Sequence, residues 1–160
     1  MDLTGKIPRD LGNLTFLVSL DLGSNNFHGN LPQEMAHLRR LKFLDLSFNS
    51  FRGEIPSWLD TLEISNNSLQ GNIPEGIGNL HNMKVLSVQY NQLTGSIPFR
   101  IFNISRIEVI AFTMNSLSGS LPCGLCNGLP ILNGLYLSIN KLRGHMPTSL
   151  SRCSLITDNY

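Results

Sequence analysis

The apolar residues of this chain follow a frame longer than any helical or strand period. From Leu14 it runs Leu14, Leu17, Leu20, Leu22, Phe27 and Leu31, with Asn25, Gly29 and Pro32 at fixed places between and after them. The same frame extends from Leu38 to Pro56, from Leu80 to Pro98, from Ile104 to Pro122 and from Leu129 to Pro147. Prolines at 8, 32, 56, 74, 98, 122 and 147 mark it in steps of 24, 24, 18, 24, 24 and 25. Self-similarity at such a period is the mark of a stacked repeat architecture. Each unit holds one short strand, because L-x-L puts two leucines on one side at a period of two. The pattern predicts parallel strands near 20–22, 44–46, 62–64, 86–88, 110–112 and 135–137.

One such strand cannot bury its apolar side alone, so the units must share a continuous core. The asparagine column Asn25, Asn49, Asn67, Asn91, Asn115 and Asn140 falls where the chain turns after each strand. An amide there can both donate to and accept from backbone groups of adjacent coils that burial would otherwise leave unpaired. The glycine column allows backbone geometry or close approach that a side chain would prevent. Each proline fixes φ and offers no donor, which suits the exit of a short segment.

Composition narrows the class. Charged residues are 14% of the 160, hydrophobic residues 41%, and the formal net charge is +1. Nucleic-acid binding calls for clustered Lys and Arg, which are missing. The apolar content is ample for a core, yet no apolar run reaches the roughly 18 residues of a membrane span. The first residues lack the basic and then apolar segments of a signal peptide.

The consensus L-x-x-L-x-L-x-x-N-x-L-x-G-x-[IL]-P resembles the plant-type leucine-rich repeat over nearly the whole chain. Leu-Gly-Asn-Leu at 11–14, Ile-Phe-Asn-Ile-Ser at 101–105 and Leu-Tyr-Leu-Ser at 135–138 are similar to ectodomain repeats of plant receptor-like serine/threonine kinases, in particular the subgroup with immune receptors for bacterial proteins. The resemblance implies an α/β fold: a right-handed solenoid, horseshoe or superhelix, with a concave parallel sheet and short convex helical or irregular segments. It also implies a second sheet made from the L-x-G-x-I-P segments. The expected organisation is one array over 1–160, of about six to seven repeats, shortened at 56–62 and uncapped at both ends.

The shortened unit leaves only Ser57-Trp58-Leu59-Asp60-Thr61 between Pro56 and Leu62, six residues fewer than the usual step. A naturally short repeat and a lost coding segment both fit, and the missing pair of consensus leucines favours the second. Cys153 and Ile156 open a further unit whose third inward position is Asn159. The chain therefore reads as a fragment of a longer ectodomain, and its kinase signatures (glycine-rich loop, H-R-D, D-F-G) are absent.

No catalytic, cofactor or metal site emerges. Cys123-x-x-Cys126 has neither a second cysteine pair nor paired histidines to complete a zinc site, and both cysteines read as small apolar residues on a convex segment. Cys153 stands at a leucine position and should pack as one. Sequons at Asn13, Asn66 and Asn103 are candidate glycan acceptors, Asn13 and Asn103 at one convex position and Asn66 on the concave side. Two columns should project from the concave sheet. The one before the asparagines reads Ser24, Phe48, Asn66, Tyr90, Met114 and Ile139; the one between the strand leucines reads Asp21, Asp45, Glu63, Ser87, Ala111 and Tyr136. From these, Asp21, Asp45, Phe48, Glu63, Tyr90, Met114, Tyr136 and Ile139 form the candidate binding face, an apolar stripe with an acidic N-terminal end. The acidic trio reads as a solvated face rather than a metal site.

The expected function is recognition of a peptide or protein ligand, with a co-receptor ectodomain as a second partner, at the extracellular face of the plasma membrane. A secreted inhibitor of cell-wall-degrading hydrolases uses the same repeat and is the alternative, together with a truncated product that has no function of its own.

Overall fold

The computed structural model describes residues 2–55 and 60–153. The shortened segment at 56–59, and Ile156 and Asn159 of the last unit, lie outside the described residues. The described residues form thirteen short strands and six 3-10 segments. The strands are β1 (Thr4–Gly5), β2 (Ser19–Asp21), β3 (Asn26–Asn30), β4 (Phe43–Asp45), β5 (Ser50–Arg52), β6 (Thr61–Glu63), β7 (Gln70–Asn72), β8 (Val85–Ser87), β9 (Gln92–Thr94), β10 (Val109–Ala111), β11 (Ser118–Gly119), β12 (Gly134–Tyr136) and β13 (Lys141–Leu142). The even-numbered strands from β2 to β12 form one six-stranded sheet in chain order. Every pair in it is parallel, with Leu20, Leu44, Leu62, Leu86, Ile110 and Leu135 in register.

Each strand starts one residue earlier than the leucine pattern suggests, because the residue before the first inward leucine also pairs. The second inward residue still bonds across coils from just beyond the strand, as Leu22 N–H does to the Asp45 carbonyl at 2.9 Å. Both inward columns are sealed in the middle of the array: Leu44, Leu62, Leu86 and Ile110 have no exposure, nor have Leu46, Ile64, Val88 and Phe112. At β2 and β12 the corresponding residues are only partly buried. Burial of each such side chain contributes roughly 1.5–3 kcal/mol, so the core is deepest where a coil has neighbours on both sides.

The odd-numbered strands form the second sheet, in three pieces: β1-β3-β5, β7-β9 and β11-β13. Its inner side includes Phe27 and Phe51, whose rings stack at 6.2 Å and 10°. The glycines in or just after these strands carry positive φ throughout, for example +87° at Gly53 and +74° at Gly95, a conformation that a Cβ penalises. Prolines 8, 32, 74, 98 and 147 then each precede a 3-10 turn: Arg9–Asn13, Gln33–His37, Glu75–Asn79, Phe99–Asn103 and Thr148–Arg152. The proline carbonyl accepts the first hydrogen bond of each turn, such as Ile77 N–H to Pro74 at 3.1 Å. The remaining turn, Leu125–Gly128, starts after Gly124 in the unit with one extra residue.

The cysteines correct the sequence reading. Cys153 is buried, but it does not pack as a substitute leucine: it is disulfide-bonded to Cys126, with Cα atoms 5.4 Å apart. The bond joins the Leu125–Gly128 and Thr148–Arg152 turns on the convex side. Cys123 is free and exposed.

Candidate functional site

The asparagine column fixes the geometry of the concave face. Asn91 Nδ2 donates to the Ile64 carbonyl of the preceding coil at 3.1 Å and to the Val88 and Gln89 carbonyls of its own at 3.1 and 3.0 Å. Its Oδ1 accepts from Leu69 N–H at 3.0 Å. Asn49, Asn67, Asn115 and Asn140 make the same set, and Asn25 bonds its own coil and Leu3. Asn49, Asn67, Asn91, Asn115 and Asn140 thus each bond four backbone groups and Asn25 three.

The tight turn this requires puts the preceding residue in the left-handed region. Ser24, Phe48, Asn66, Tyr90, Met114 and Ile139 all have φ between 54 and 60°. Such a φ is uncommon outside glycine and asparagine and a true outlier for a β-branched residue. Yet four of the six are large and apolar, and they are exposed: Phe48 by 60%, Tyr90 by 47%, Met114 by 44% and Ile139 by 65%. Neither backbone geometry nor core packing calls for those residue types.

In the neighbouring column the register sets Asp21 beside Asp45 and Asp45 beside Glu63. Asp21 Oδ1 accepts from Gly23 N–H at 2.9 Å and Asp45 Oδ1 from Ser47 N–H at 2.8 Å, so both carboxylates also hold their strand exits. Glu63 makes no such bond. Partial burial raises its pKa above the ordinary value, and the charges of Asp45 and then Asp21 raise it further. Among the described residues no group of three or more His, Cys, Asp or Glu side chains is arranged to hold a metal ion. Ser87 and Ala111 in this column are buried and add nothing to the exposed surface, whereas Tyr136 is 45% exposed. The Tyr136 ring lies over Gly134, 2.9 Å from where a Cβ would stand, and Val109 methyls lie 3.4 Å from the same point.

A third column is also part of the face. Phe43, Val85 and Val109, each half-buried, open strands β4, β8 and β10 and lie in register along the sheet. The one-residue offset in strand assignment hid them; the alternation of facing along a strand would have found them, since they stand two residues before Asp45, Ser87 and Ala111. Asn13 and Asn103 end their 3-10 turns and are exposed, while Asn66 is half-buried in the left-handed column.

The leucine-rich-repeat pattern matches residues 16–38, 40–62 and 58–80. A structure of the BIR3–SERK2 complex from Arabidopsis thaliana is 34% identical with a TM-score of 0.68, over 78% of this chain and 69% of that one. The chain belongs to the leucine-rich-repeat family. Within that family, the plant peptide hormone receptor RGFR1, solved in complex with RGF2, matches at a TM-score of 0.92 and 32% identity over 96% of this chain and 26% of its own. The Arabidopsis receptor kinase HAESA, solved with the peptide hormone IDA and the co-receptor SERK1, matches at 0.91 and 32% over 96% of this chain and 27% of its own. The chain thus has the fold of plant leucine-rich-repeat receptor ectodomains and spans about a quarter of the length of these two. No protein of curated function matches the sequence. Among the described residues no helix is long and apolar enough to cross a membrane.

Proposed function

We propose that this chain is a ligand-recognition segment of a plant receptor-like kinase ectodomain, one continuous array that presents its concave face to a peptide or protein ligand. The observation that carries the reading is the left-handed column. Holding a non-glycine residue there costs of order 1–2 kcal/mol. Phe48, Tyr90, Met114 and Ile139 nevertheless keep large apolar side chains in water at that position, and exposed apolar stripes of this kind mark interaction sites. Both long structural matches are receptors solved with peptide hormones, and one includes a co-receptor; a co-receptor ectodomain is the second partner we assign. The Cys126–Cys153 bond supports an extracellular setting, since such bonds persist in oxidising compartments. Asn13 and Asn103 are the glycan acceptors of this reading, on the side away from the ligand.

The test is a fluorescence-anisotropy screen of the 160-residue chain against dye-labelled peptides of mixed sequence. Peptides that bind should lose about tenfold in affinity, or ~1.4 kcal/mol, in Tyr90→Ala and in Phe48→Ala, with circular dichroism unchanged. Variants that bind as well as the parent, or that unfold, would place recognition elsewhere.

A further inference from the structure

The concave face is divided by charge. In the column between the strand leucines, Asp21, Asp45 and Glu63 occupy three adjacent strands, and the next three carry Ser87, Ala111 and Tyr136. Lys84 pairs with Glu108 at 3.6 Å, and Lys42 and Asp60 hold one position on successive coils. The acidic half carries three carboxylates on a chain whose formal net charge is +1. Neither ion pair among the described residues involves them.

Two features of the acidic half favour a bound partner over mere solvation. The Oδ1 atoms of Asp21 and Asp45 stand 3.3 and 3.4 Å from the point a Cβ on Gly23 would occupy, so both carboxylates border one spot that a side chain there would fill. Ser65 and Ser87 hydroxyls bond each other at 2.8 Å. Ser47 holds the position of Ser65 one coil earlier, with Glu63 in the place of Ser87. It is only 8% exposed, and its hydroxyl makes no hydrogen bond among the described residues. A buried hydroxyl without a partner is uncommon and leaves a donor or acceptor ready for a ligand.

We propose that this face takes an extended peptide with a Lys- or Arg-bearing end over Asp21, Asp45 and Glu63 and an apolar or aromatic end against Tyr90, Tyr136 and Ile139. The assignment rests on the recognition reading above and specifies the partner's chemistry. Charge complementarity selects the cationic end, and the exposed apolar columns select the other. Six strands about 4.8 Å apart span roughly 24 Å, the reach of about seven extended residues. Opposite charge across a binding face contributes mainly to specificity and rate of association, so an anionic peptide of equal apolarity should be rejected.

The probes are four synthetic 10-residue peptides: a Lys/Arg block joined to a Leu/Phe block, in both orders, and the same two with Glu in place of the cations. They are titrated into the 160-residue chain and into the triple variant D21N/D45N/E63Q. Asn at 21 and 45 keeps an oxygen for the Gly23 and Ser47 amides, so the strand exits should persist. The expected result is that a cationic probe binds the parent at least about tenfold more tightly than its anionic counterpart, and that the triple variant abolishes that preference. In the parent the preference should shrink with added salt. Equal binding of both charges, or a preference that survives in D21N/D45N/E63Q, overturns the polarity while leaving peptide recognition standing. If none of the four binds a folded chain, and the mixed screen above also yields no binder, the recognition reading fails and the polarity falls with it.

Discussion

Residues 90 and 91 are neighbours in sequence and opposites in role. Asn91 is held by four hydrogen bonds to backbone groups of two coils, and its counterparts at Asn49, Asn67, Asn115 and Asn140 repeat the pattern. Tyr90 projects into water with φ at 54°, and its counterparts range from Ser24 to Ile139. The ladder column permits one residue type because the backbone groups it must satisfy recur in every coil. The adjoining column is fixed in geometry and free in chemistry. A solenoid can thus vary an exposed column without disturbing the scaffold, since the two columns occupy different places in the same turn.

The largest effect expected from that division is on the ladder. Asn91→Ala removes four hydrogen bonds and leaves Leu69 N–H and the Ile64 carbonyl without their partner, a loss of about 3–4 kcal/mol. Tyr90→Ala should leave stability within about 0.5 kcal/mol, as for other exposed sites. Urea unfolding of the two variants measures the contrast. Comparable losses at both sites would show that the exposed column is part of the core.

Next in size is the convex staple. The Cys126–Cys153 bond closes a loop of 27 residues, for which chain entropy gives about 3.5 kcal/mol. Cys126→Ala/Cys153→Ala should lower the unfolding midpoint accordingly and leave peptide binding at the concave face unchanged. A fall in binding of the same order would mean that the face depends on convex geometry, and the separation of roles would be incomplete.

How far these roles were legible in the sequence depends on whether a residue's environment recurs. The six-stranded parallel sheet could be read because Leu44, Leu62, Leu86 and Ile110 meet the same core in every coil, and the family comparison agrees with the solenoid. Strand limits were off by one, because pairing at Ser19, Phe43 and Val85 depends on the neighbouring coil rather than on inward-pointing leucines. The disulfide escaped because Cys126 and Cys153 lie in different units, and their pairing depends on how two convex turns stack. The second sheet breaks between β5 and β7, on either side of the short segment, and again between β9 and β11, where the repeat has its usual length. Among the described residues two backbone bonds cross the first break, from Ser68 N–H to Phe51 at 2.9 Å and from Gln70 N–H to Gly53 at 3.2 Å, and the concave sheet keeps its register from Leu44 through Leu62 to Leu86. On the candidate face, Asp21 and Asp45 looked like free surface charges, but both also brace strand exits, a local bond that composition does not reveal.

A smaller effect, opposite in sign, is expected at Ile139. It is the one β-branched residue in the left-handed column, at φ 54° and 65% exposed. Asparagine tolerates that region and little buried apolar surface would be lost, so Ile139→Asn should stabilise the chain by about 1 kcal/mol. Binding of an apolar-ended peptide should weaken in the same variant. Thermal unfolding that shows a loss of stability instead would mean that Ile139 packs as part of the end of the core, and that the column is less free than its exposure suggests.

The smallest effect tests the acidic half of the face through pH. Partial burial, then Asp45 and then Asp21, hold the Glu63 pKa above its ordinary value, while Ser87 on the other side is uncharged and offers no relief. The folded chain therefore binds the Glu63 proton more tightly than the unfolded chain does. Below the ordinary carboxylate value both states are protonated and this group adds no pH dependence. As pH rises from there through the raised value, the folded state gives up its advantage in proton binding, and stability falls. Glu63→Gln removes the group from that balance. The difference in unfolding midpoint, variant minus parent, should grow from acid toward neutral pH and then level off. It should be modest, because Glu63 is only partly buried, and should shrink in high salt, because the repulsion from Asp45 and Asp21 is screened. A difference that narrows as pH rises would mean that Glu63 has a stabilising cationic partner in the folded chain, and the charge division of the concave face would lose its acidic end.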